Sequence, residues 1–387
     1  MKTKSKPETG NMITIIGGGI GGLTLANALQ HHQIPFRLYE QATELTEVGA
    51  GIGLSEAPIK IFDRLGLGKE LRANGAAIQK VFFPDKNLKV RREIETKSEM
   101  LCIHRARLID ILQEKLPADA IHLSHRLSDI GIKNDTTVLH FENRPPLESE
   151  CVVAADGIHS VVRKNLFPEI NIRYINQVIW RGITTEPMPE GFEDSYIEIW
   201  DERLRFLTIS IGHGQTLWIG AKPEPPGGID DPLTVRKNLL DLFKNFHPDL
   251  LRMIDTSENF LRDDMADLGT GKREWHKGPV VFLGDAIHAT TPNLAQGGCQ
   301  AIEDAWCLAK CLKKYRDDYH TAFKTYSELR KPKVMKIVKD SWLFGKAAHS
   351  GNPFLHYGFR LLFSKGPEFI LRRQENFLNN LDYLEKI

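Results

Sequence analysis

The stretch that decides the fold is Met12-Ile-Thr-Ile-Ile16, followed at once by Gly17-Gly-Gly-Ile-Gly-Gly22. The first part is a continuous apolar run, which is typical of a strand buried on both faces of a parallel sheet. The second part satisfies Gly-x-Gly-x-x-Gly, and apolar residues at helical spacing follow it. In this context Gly17, Gly19 and Gly22 permit a tight turn and let backbone N–H groups approach a pyrophosphate. The stretch therefore predicts a dinucleotide-binding β-α-β unit.

The second strand of this unit, Phe36-Arg-Leu-Tyr-Glu40, ends in an acidic residue. Glu40 lies about 20 residues beyond the last glycine, where such folds place a carboxylate that accepts hydrogen bonds from a ribose diol. An acid at this point disfavours a 2′-phosphate, so NADPH is not expected in this particular site. The motif alone leaves FAD and NAD both open.

Two aspartates follow directly on other apolar runs. Asp156-Gly157 follows Cys151-Val-Val-Ala-Ala155, and Gly284-Asp285 follows Val280-Val-Phe-Leu283. Each aspartate is therefore expected at the carboxyl end of a parallel strand, at the edge of an open α/β sheet where ligands bind. For Asp156-Gly157 taken alone, a simple turn is an equally good interpretation.

The segment after Asp285 adds a site for an anion. It continues through Pro292 to Gly297-Gly298, which precede a helix with apolar residues at helical spacing. The open N-terminus of this helix would offer N–H groups and positive potential to an anion. A reduced flavin carries negative charge near N1 and the C2 carbonyl, so the pattern favours a flavin here.

The bulk properties exclude some classes of protein. Hydrophobic residues make up 41% of the 387-residue chain and the formal net charge is +1, so nothing favours nucleic acid as a partner. The five cysteines form no Cys-x-x-Cys pair, and no metal site is expected. The N-terminus lacks the apolar core of a signal peptide. The apolar stretch 354–363 falls short of the roughly 20 residues that span a bilayer. We therefore expect a cytoplasmic protein without a transmembrane segment.

The middle of the chain predicts an insertion. From about Arg173 to Lys222, strands rich in Trp, Ile and Phe indicate a sheet that is antiparallel and exposed on one face. Asp231 and Pro232 predict the start of a helix that runs through Phe246. The chain after Gly297 is expected to be helical.

Three motifs in this order make the chain resemble the single-component (group A) FAD-dependent aromatic monooxygenases. They are the glycine-rich loop, the segment from Asp156-Gly157 to Arg163, and the segment from Gly284-Asp285 to Pro292. The last segment looks most similar to the salicylate hydroxylase, urate hydroxylase and zeaxanthin epoxidase branch. The resemblance implies an α/β fold with a Rossmann-like FAD-binding domain of the p-hydroxybenzoate hydroxylase type, an inserted mixed β-sheet substrate domain and C-terminal helices. The expected bounds are 1–75, 100–172 and 272–345 for the FAD-binding domain, 76–99 and 173–271 for the substrate domain, and 346–387 for the C-terminal helical segment.

The resemblance also implies roles for individual residues. Glu40 is expected to bind the adenosine ribose of FAD, and Arg105 its phosphate or ribityl region. Asp285 is expected to hold FAD oxygens, and the Asp156 segment to serve both FAD and passing NAD(P)H. The remaining expected FAD contacts are Gly17, Gly19, Gly22, Gly51, Gly157, Pro292, Gly297 and Gly298. One departure is Ser55-Glu56-Ala57, where many relatives carry Pro-Asn, which affects the expected contacts at the flavin edge.

The family chemistry uses NAD(P)H and O2 and proceeds through a flavin C4a-hydroperoxide, which hydroxylates or epoxidises a small aromatic or conjugated substrate. The alternatives are a reductase or dehydrogenase on the same fold, a drug-inactivating monooxygenase, or a flavin-binding regulator without turnover. No catalytic triad is expected, and His288 is interpreted as structural. Arg205 lies where urate hydroxylase has a substrate-facing arginine, and a guanidinium there could stabilise phenolate-like charge. A surface arginine in a charged turn is the equal alternative.

The C-terminal apolar residues predict helices that cover the pocket, form a subunit contact or simply pack on the core. The protein is expected to be a monomer or a homodimer.

Overall fold

The computed structural model describes residues 12–45, 51–201, 203–316, 318–350, 352, 358, 366 and 368–387. The stretch 48–50 and, apart from Gly358, the apolar stretch 354–363 lie outside the described residues, so the expectations placed on them are not addressed. No helix in the described part of the chain is both long enough and apolar enough to cross a membrane. The strands, in chain order, are β1 (Ile13–Ile16), β2 (Phe36–Tyr39), β3 (Gly51–Leu54), β4 (Ala76–Ala77), β5 (Lys80–Pro84), β6 (Val90–Glu95), β7 (Leu101–His104), β8 (Ile121–His122), β9 (Leu127–Lys133), β10 (Thr136–Phe141), β11 (Leu147–Ser149), β12 (Val152–Ala154), β13 (Arg173–Thr184), β14 (Ser195–Asp201), β15 (Leu204–Gly212), β16 (Gln215–Pro223), β17 (Leu261–Asp267), β18 (His276–Lys277) and β19 (Val280–Phe282).

The helices alternate with the strands at first and then dominate the end of the chain. In chain order they are α1 (Ile20–His31), α2 (Glu56–Arg64), α3 (Gly68–Asn74), α4 (Arg105–Glu114), α5 (Val161–Leu166), α6 (Val235–Phe243), α7 (Pro248–Asp255), α8 (Asp285–His288), α9 (Gly297–Lys314), α10 (Tyr319–Ala348) and α11 (Glu368–Asn379). Short 3-10 turns occupy Ala118–Ala120, Pro292–Leu294 and Asp382–Lys386. The prediction of a helical chain after Gly297 is confirmed for the described residues.

The first sheet has the strand order β18-β19-β12-β1-β2-β8. The pairs β2–β8, β1–β2, β1–β12 and β12–β19 are parallel, and only the edge strand β18 is antiparallel to its neighbour. Strand β1 is buried at all four positions, as its continuous apolar sequence predicts. Helix α1 returns the chain from β1 to β2 and packs on α9 and α4. The predicted β-α-β unit is confirmed.

The second sheet has the order β17-β13-β16-β15-β14-β5-β6 and is mixed, because β14 and β5 run parallel while the other pairs are antiparallel. The expectation that one face is exposed is wrong for its central strands. Helices α6 and α7 cover one face, where Phe206 and Trp218 pack with Phe243. The other face packs on β7 and α10, so both faces are buried.

The predicted helix from Asp231 to Phe246 is also corrected. Residues 232–234 form a turn, and α6 begins at Val235. The Asp231 carboxylate accepts from the backbone N–H of Leu233 at 2.9 Å, and its carbonyl accepts from Thr234. Asp231 therefore caps a turn ahead of the helix, and the chain starts a separate helix, α7, at Pro248.

Candidate functional site

Three loops that carry the motif residues leave the same edge of the first sheet. Ile16 of β1 pairs with Ala154 of β12, and Ala154 pairs with Phe282 of β19. Because these strands are parallel and in register, Gly17, Asp156 and Asp285 all follow their carboxyl ends. The prediction that both aspartates lie at carboxyl ends of parallel strands is confirmed.

The glycine-rich turn depends on two of its glycines for close packing. Gly17 has φ +108°, and a Cβ there would lie 2.4 Å from the carbonyl oxygen of Ala155. A Cβ at Gly22 would lie 2.0 Å from the carbonyl oxygen of Gly17. Around Gly19, by contrast, a Cβ would meet no described atom within 4 Å. The turn is thus packed tightly on its inner side and open on the side of Gly19, where a pyrophosphate could approach.

Glu40 is held in place by the backbone of the two loops beside it. Its Oε2 accepts from the N–H of Gly18 at 2.6 Å, and its Oε1 accepts from the N–H of Ala42 at 2.9 Å. Each carboxylate oxygen can accept more than one hydrogen bond. The half-buried carboxylate is therefore fixed in orientation and keeps acceptor capacity for a diol.

Asp156 lies at the N-terminus of α5. Its Oδ2 accepts from the N–H of Val162 at 3.2 Å, while the Ser160 hydroxyl caps the helix by accepting from Arg163. Burial raises the pKa of Asp156, and the hydrogen bonds from Ser160 and Val162 act against that rise. Its Oδ1 is buried and has no hydrogen-bond partner among the described residues. A buried acceptor without a partner is costly, so this atom is suited to a hydroxyl of a bound ligand.

These residues surround one cavity of about 560 Å³. The sequence-predicted residues on its wall are Gly17, Gly19, Glu40, Arg105, Asp156 and Gly157. The wall also contains residues that the sequence analysis did not single out, among them Arg126, His159 and Lys164. His159 lies within the motif from Asp156 to Arg163, which could have indicated it. No sequence motif marks Arg126 or Lys164, which reach the cavity through the packing of the elements around it.

Arg105 connects this cavity to the third loop. It is the first residue of α4, and the preceding His104 caps the helix by accepting from Ala106 at 3.2 Å. Burial lowers the pKa of Arg105, and the negative charge of Asp285 raises it. Burial raises the pKa of Asp285, and His288 and Arg105 lower it. The residue Asp285 is exposed to solvent.

The remaining predicted residues gather at the N-terminus of α9. A Cβ at Gly297 would lie 3.8 Å from Asp285 Oδ1, and one at Gly298 would lie 2.6 Å from the Ile52 side chain. Strand β3 thus packs against the start of this helix, with Gly51 at its first position. Among the residues that the structure describes, no side chain caps α9. An uncapped helix start is suited to an anion, because of its N–H groups and the positive end of the helix dipole.

Pro292 begins the short turn that leads into α9. The next residue, Asn293, is buried, and its Oδ1 accepts a hydrogen bond of 3.3 Å from Arg205 Nη1. Arg205 is only 6% exposed. The alternative of a surface arginine in a charged turn is therefore wrong, and Arg205 reaches from the second sheet to the segment that precedes α9.

His288 belongs to a buried charge network behind the loop. Its Nε2 lies 2.5 Å from Asp304 Oδ2, and Asp304 Oδ2 also accepts from the N–H of Gly284 at 3.1 Å. Arg330 pairs with both Asp304 and Glu303, each at 2.7 Å. All these side chains are buried, which matches the structural interpretation of His288. The network supports the Gly284 turn from α9 and α10.

Comparison with known proteins identifies the chain. The family described as "FAD binding domain" matches residues 11–198 and 265–341. An aurachin C monooxygenase/isomerase from Stigmatella aurantiaca is 34% identical over 90% of this chain and 92% of its own length. The chain belongs to the single-component FAD-dependent aromatic monooxygenases.

Further proteins are similar to this monooxygenase in sequence or in fold. A 3-amino-4-hydroxybenzoate 2-monooxygenase from Streptomyces cremeus is 31% identical over 84% of each chain. The crystal structure of Klebsiella pneumoniae HpxO complexed with FAD and uric acid has a TM-score of 0.86 and 24% identity, and the match covers 95% of this chain and 96% of that one. The predicted family and the p-hydroxybenzoate hydroxylase type of fold are confirmed.

The residues of the monooxygenase fit FAD as its cofactor. The open space at Gly19, the anchored carboxylate of Glu40 and the unpartnered Oδ1 of Asp156 lie on one cavity wall and offer what a dinucleotide requires. The uncapped start of α9 lies close to Asp285 and is suited to a second negatively charged part of such a cofactor.

Proposed function

We propose that this FAD-dependent monooxygenase uses NAD(P)H and O2 to hydroxylate or epoxidise a small aromatic or conjugated molecule. The observation that carries the proposal is the convergence of the three loops, on the neighbouring strands β1, β12 and β19, in a chain whose relatives are named monooxygenases. Those names also disfavour the alternative of a reductase without oxygen transfer. When bound, FAD supplies the redox chemistry that activates O2, and the protein supplies binding, orientation and exclusion of water.

In this proposal the residues of the first loops hold the adenosine end of FAD. Glu40 accepts from the ribose hydroxyls, and Gly17, Gly19 and Gly22 let the backbone approach the pyrophosphate. Arg105 balances negative charge on the phosphates or beside the ribityl chain. Asp156, next to Gly157, accepts from a hydroxyl through its unpartnered Oδ1.

The residues around α9 hold the other end. Asp285 accepts from FAD hydroxyls, and the N–H groups of Gly297 and Gly298 stabilise negative charge at the helix N-terminus. Pro292 and Gly51 shape the wall on either side. The second sheet carries the substrate, with Arg205 facing it. The FAD-binding domain then comprises residues 1–75, 100–172 and 272–345, the substrate domain comprises residues 76–99 and 173–271, and the C-terminal helical segment comprises residues 346–387. The sequence contains no second Gly-x-Gly-x-x-Gly loop for a nicotinamide cofactor, so in this proposal NAD(P)H binds only transiently.

The test is NADH and NADPH oxidation by the FAD-loaded protein with a panel of phenols, purines, quinolones and polyenes, with product mass followed alongside. Substrate-stimulated oxidation and a product heavier by one oxygen atom support the proposal. Stimulated oxidation that yields only hydrogen peroxide or a reduced product would favour the reductase. As a matched control, Gly19→Ala should weaken FAD binding and lower the oxidation in parallel while the apoprotein stays folded, which assigns the activity to the flavin protein.

A further inference from the structure

One face of the second sheet carries a buried pair of opposite charges. Side chains alternate between faces along a strand, so Tyr196, Glu198 and Trp200 of β14 share a face. Arg205 of β15 is the register partner of Trp200 and shares that face, and its guanidinium lies 4.8 Å from the centre of the Trp200 ring. We call the side chains of Tyr196, Glu198 and Arg205 the charge cluster.

Within the charge cluster the positive charge is already balanced. Arg205 Nε lies 2.8 Å from Glu198 Oε1, and the two side chains are 8% and 7% exposed. The other carboxylate oxygen, Oε2, accepts a hydrogen bond of 2.6 Å from the Tyr196 hydroxyl. Burial and then the Glu198 charge raise the pKa of Tyr196, which therefore remains a protonated donor. The cluster has one cation and one anion, and its net charge is zero.

The ion pair between Glu198 and Arg205 is closed to other partners. Among the described residues, Glu198 Oε1 and Arg205 Nε meet no hydrogen-bond partner outside the pair, and both atoms are buried. A ligand beside the charge cluster therefore meets a neutral pair rather than a free guanidinium.

The charge cluster is joined to the segment that precedes α9. Arg205 Nη1 donates to Asn293 Oδ1, and the orientation of that amide is set by its Nδ2, which donates to Thr291 Oγ1 at 3.2 Å and to the Ser341 carbonyl at 3.3 Å. The cluster therefore faces the region between the second sheet and the start of α9, where the proposed function places the reacting end of FAD and the substrate.

We propose that the charge cluster selects an uncharged aromatic or heteroaromatic substrate, and that Glu198 is a specificity-determining residue against aromatic carboxylates. The proposal rests on the function proposed above. A carboxylate placed beside a free arginine would gain a charge-assisted pair. Beside Arg205 already paired with Glu198, it would add an uncompensated negative charge in a buried site, which is strongly unfavourable.

The test compares matched ligands that differ in one carboxylate. Salicylamide is paired with salicylate, and 4-hydroxyquinoline with 4-hydroxyquinoline-2-carboxylate, at pH 7.5 on the FAD-loaded protein. Binding is followed by the change in the flavin absorption spectrum, which needs no turnover. We expect the uncharged member of at least one pair to bind with a Kd at least about tenfold lower than its carboxylate, the smallest effect for one buried charge. Equal or tighter binding of the carboxylates, or no binding of either uncharged ligand, would overturn the proposal.

Variants separate the charge from the shape of the pocket. Glu198→Gln leaves Arg205 uncompensated, so the Kd of the carboxylates should fall at least about tenfold. Glu198→Asp keeps the charge and should keep the preference for uncharged ligands. Glu95→Gln makes the same chemical change at an exposed position on the edge strand β6 and should alter nothing. An unchanged preference in a Glu198→Gln protein that still binds FAD would also overturn the proposal, and the wild-type comparison decides it if that variant does not fold.

The two proposals fail in different ways. If the ligand preference holds but no compound in the panel gains an oxygen atom, the monooxygenase function fails and the pocket assignment stands. If oxygen transfer occurs with carboxylates as readily as with uncharged aromatics, the function stands and the role of Glu198 fails.

Discussion

The guanidinium of Arg163 donates a hydrogen bond of 2.8 Å to the carbonyl oxygen of Ala286 and another, of 2.5 Å, to the carbonyl oxygen of Ile158. Arg163 is 1% exposed, so it cannot act as a surface phosphate ligand. It fastens the loop after β12 to the loop after β19, and thereby fixes Asp156 and Asp285 relative to each other. Arg163 is a positioning residue behind the site.

Replacement of Arg163 by lysine should loosen this link. A lysine keeps the charge but lacks the planar fork that reaches two carbonyls at once. We expect a loss of about 1–3 kcal/mol in the free energy of unfolding, the cost of buried groups left without partners. If half of that loss appears as weaker FAD binding, the Kd for FAD, measured by fluorescence titration of the apoprotein, should rise about two- to tenfold. Arg37→Lys on the exposed side of β2 is the matched control, and an equal effect of both variants would contradict the role of Arg163.

The sequence predicted the residues at the strand ends but not the contacts behind them. Asp156 and Asp285 each follow an apolar run, and this local pattern suffices because parallel strands bring their carboxyl ends to one edge. The bond from Arg163 to Ala286 joins residues 123 positions apart and depends on the register of β12 with β19, which no local pattern contains.

The pairing of Glu198 with Arg205 could be predicted from the sequence only in part. The alternation in Tyr196-Ile-Glu-Ile-Trp200 places Glu198 and Trp200 on one face, and a tight hairpin would bring Arg205 opposite Trp200. The sequence did not predict that this pair is buried, because one face of the sheet was expected to be exposed. That face is covered by α10 and β7, which come from distant parts of the chain.

Substitution of two glycines of the first loop should affect the stability of the fold and the binding of the cofactor separately. Gly17→Ala places a Cβ 2.4 Å from the Ala155 carbonyl oxygen at φ +108°, so the apoprotein should lose about 1–3 kcal/mol of unfolding free energy. Gly19→Ala meets no described atom within 4 Å, so it should leave the apoprotein intact and weaken FAD binding, because the methyl group occupies the side on which the pyrophosphate approaches. Thermal unfolding with and without FAD measures both effects. Unchanged FAD affinity in the Gly19→Ala protein would show that the pyrophosphate does not bind at this turn.

Arg330 should be among the most sensitive positions for stability. It is fully buried and pairs with Glu303 and Asp304, and its pKa is raised by Tyr383 and those two carboxylates against the effect of burial. Arg330→Met leaves two buried carboxylates without their main partner, which should cost about 3–5 kcal/mol in urea unfolding. Lys339→Met removes an exposed cation from the same helix and should change the free energy of unfolding by less than about 0.5 kcal/mol. Similar values for the two variants would show that the network does not stabilise the fold.

The contribution of Asp304 to the stability of this network should be lost at low pH. Burial alone would raise its pKa, but His288 and Arg330 hold the pKa below its ordinary value of 3.8. Its folded pKa is therefore below the unfolded one, so its contribution is fully present above about pH 4 and is lost as the pH falls through the folded pKa. Asp304→Asn should cost about 3–5 kcal/mol at pH 7, and the difference from wild type should shrink below pH 4 as the wild-type carboxyl takes up its proton.

Urea unfolding of both proteins from pH 8 to pH 3, in the same excess of FAD, measures this difference. Asp241→Asn on the exposed side of α6 is the control, expected within about 0.5 kcal/mol of wild type. A difference for Asp304→Asn that stays constant down to pH 3 would mean that the carboxylate does not act through its charge.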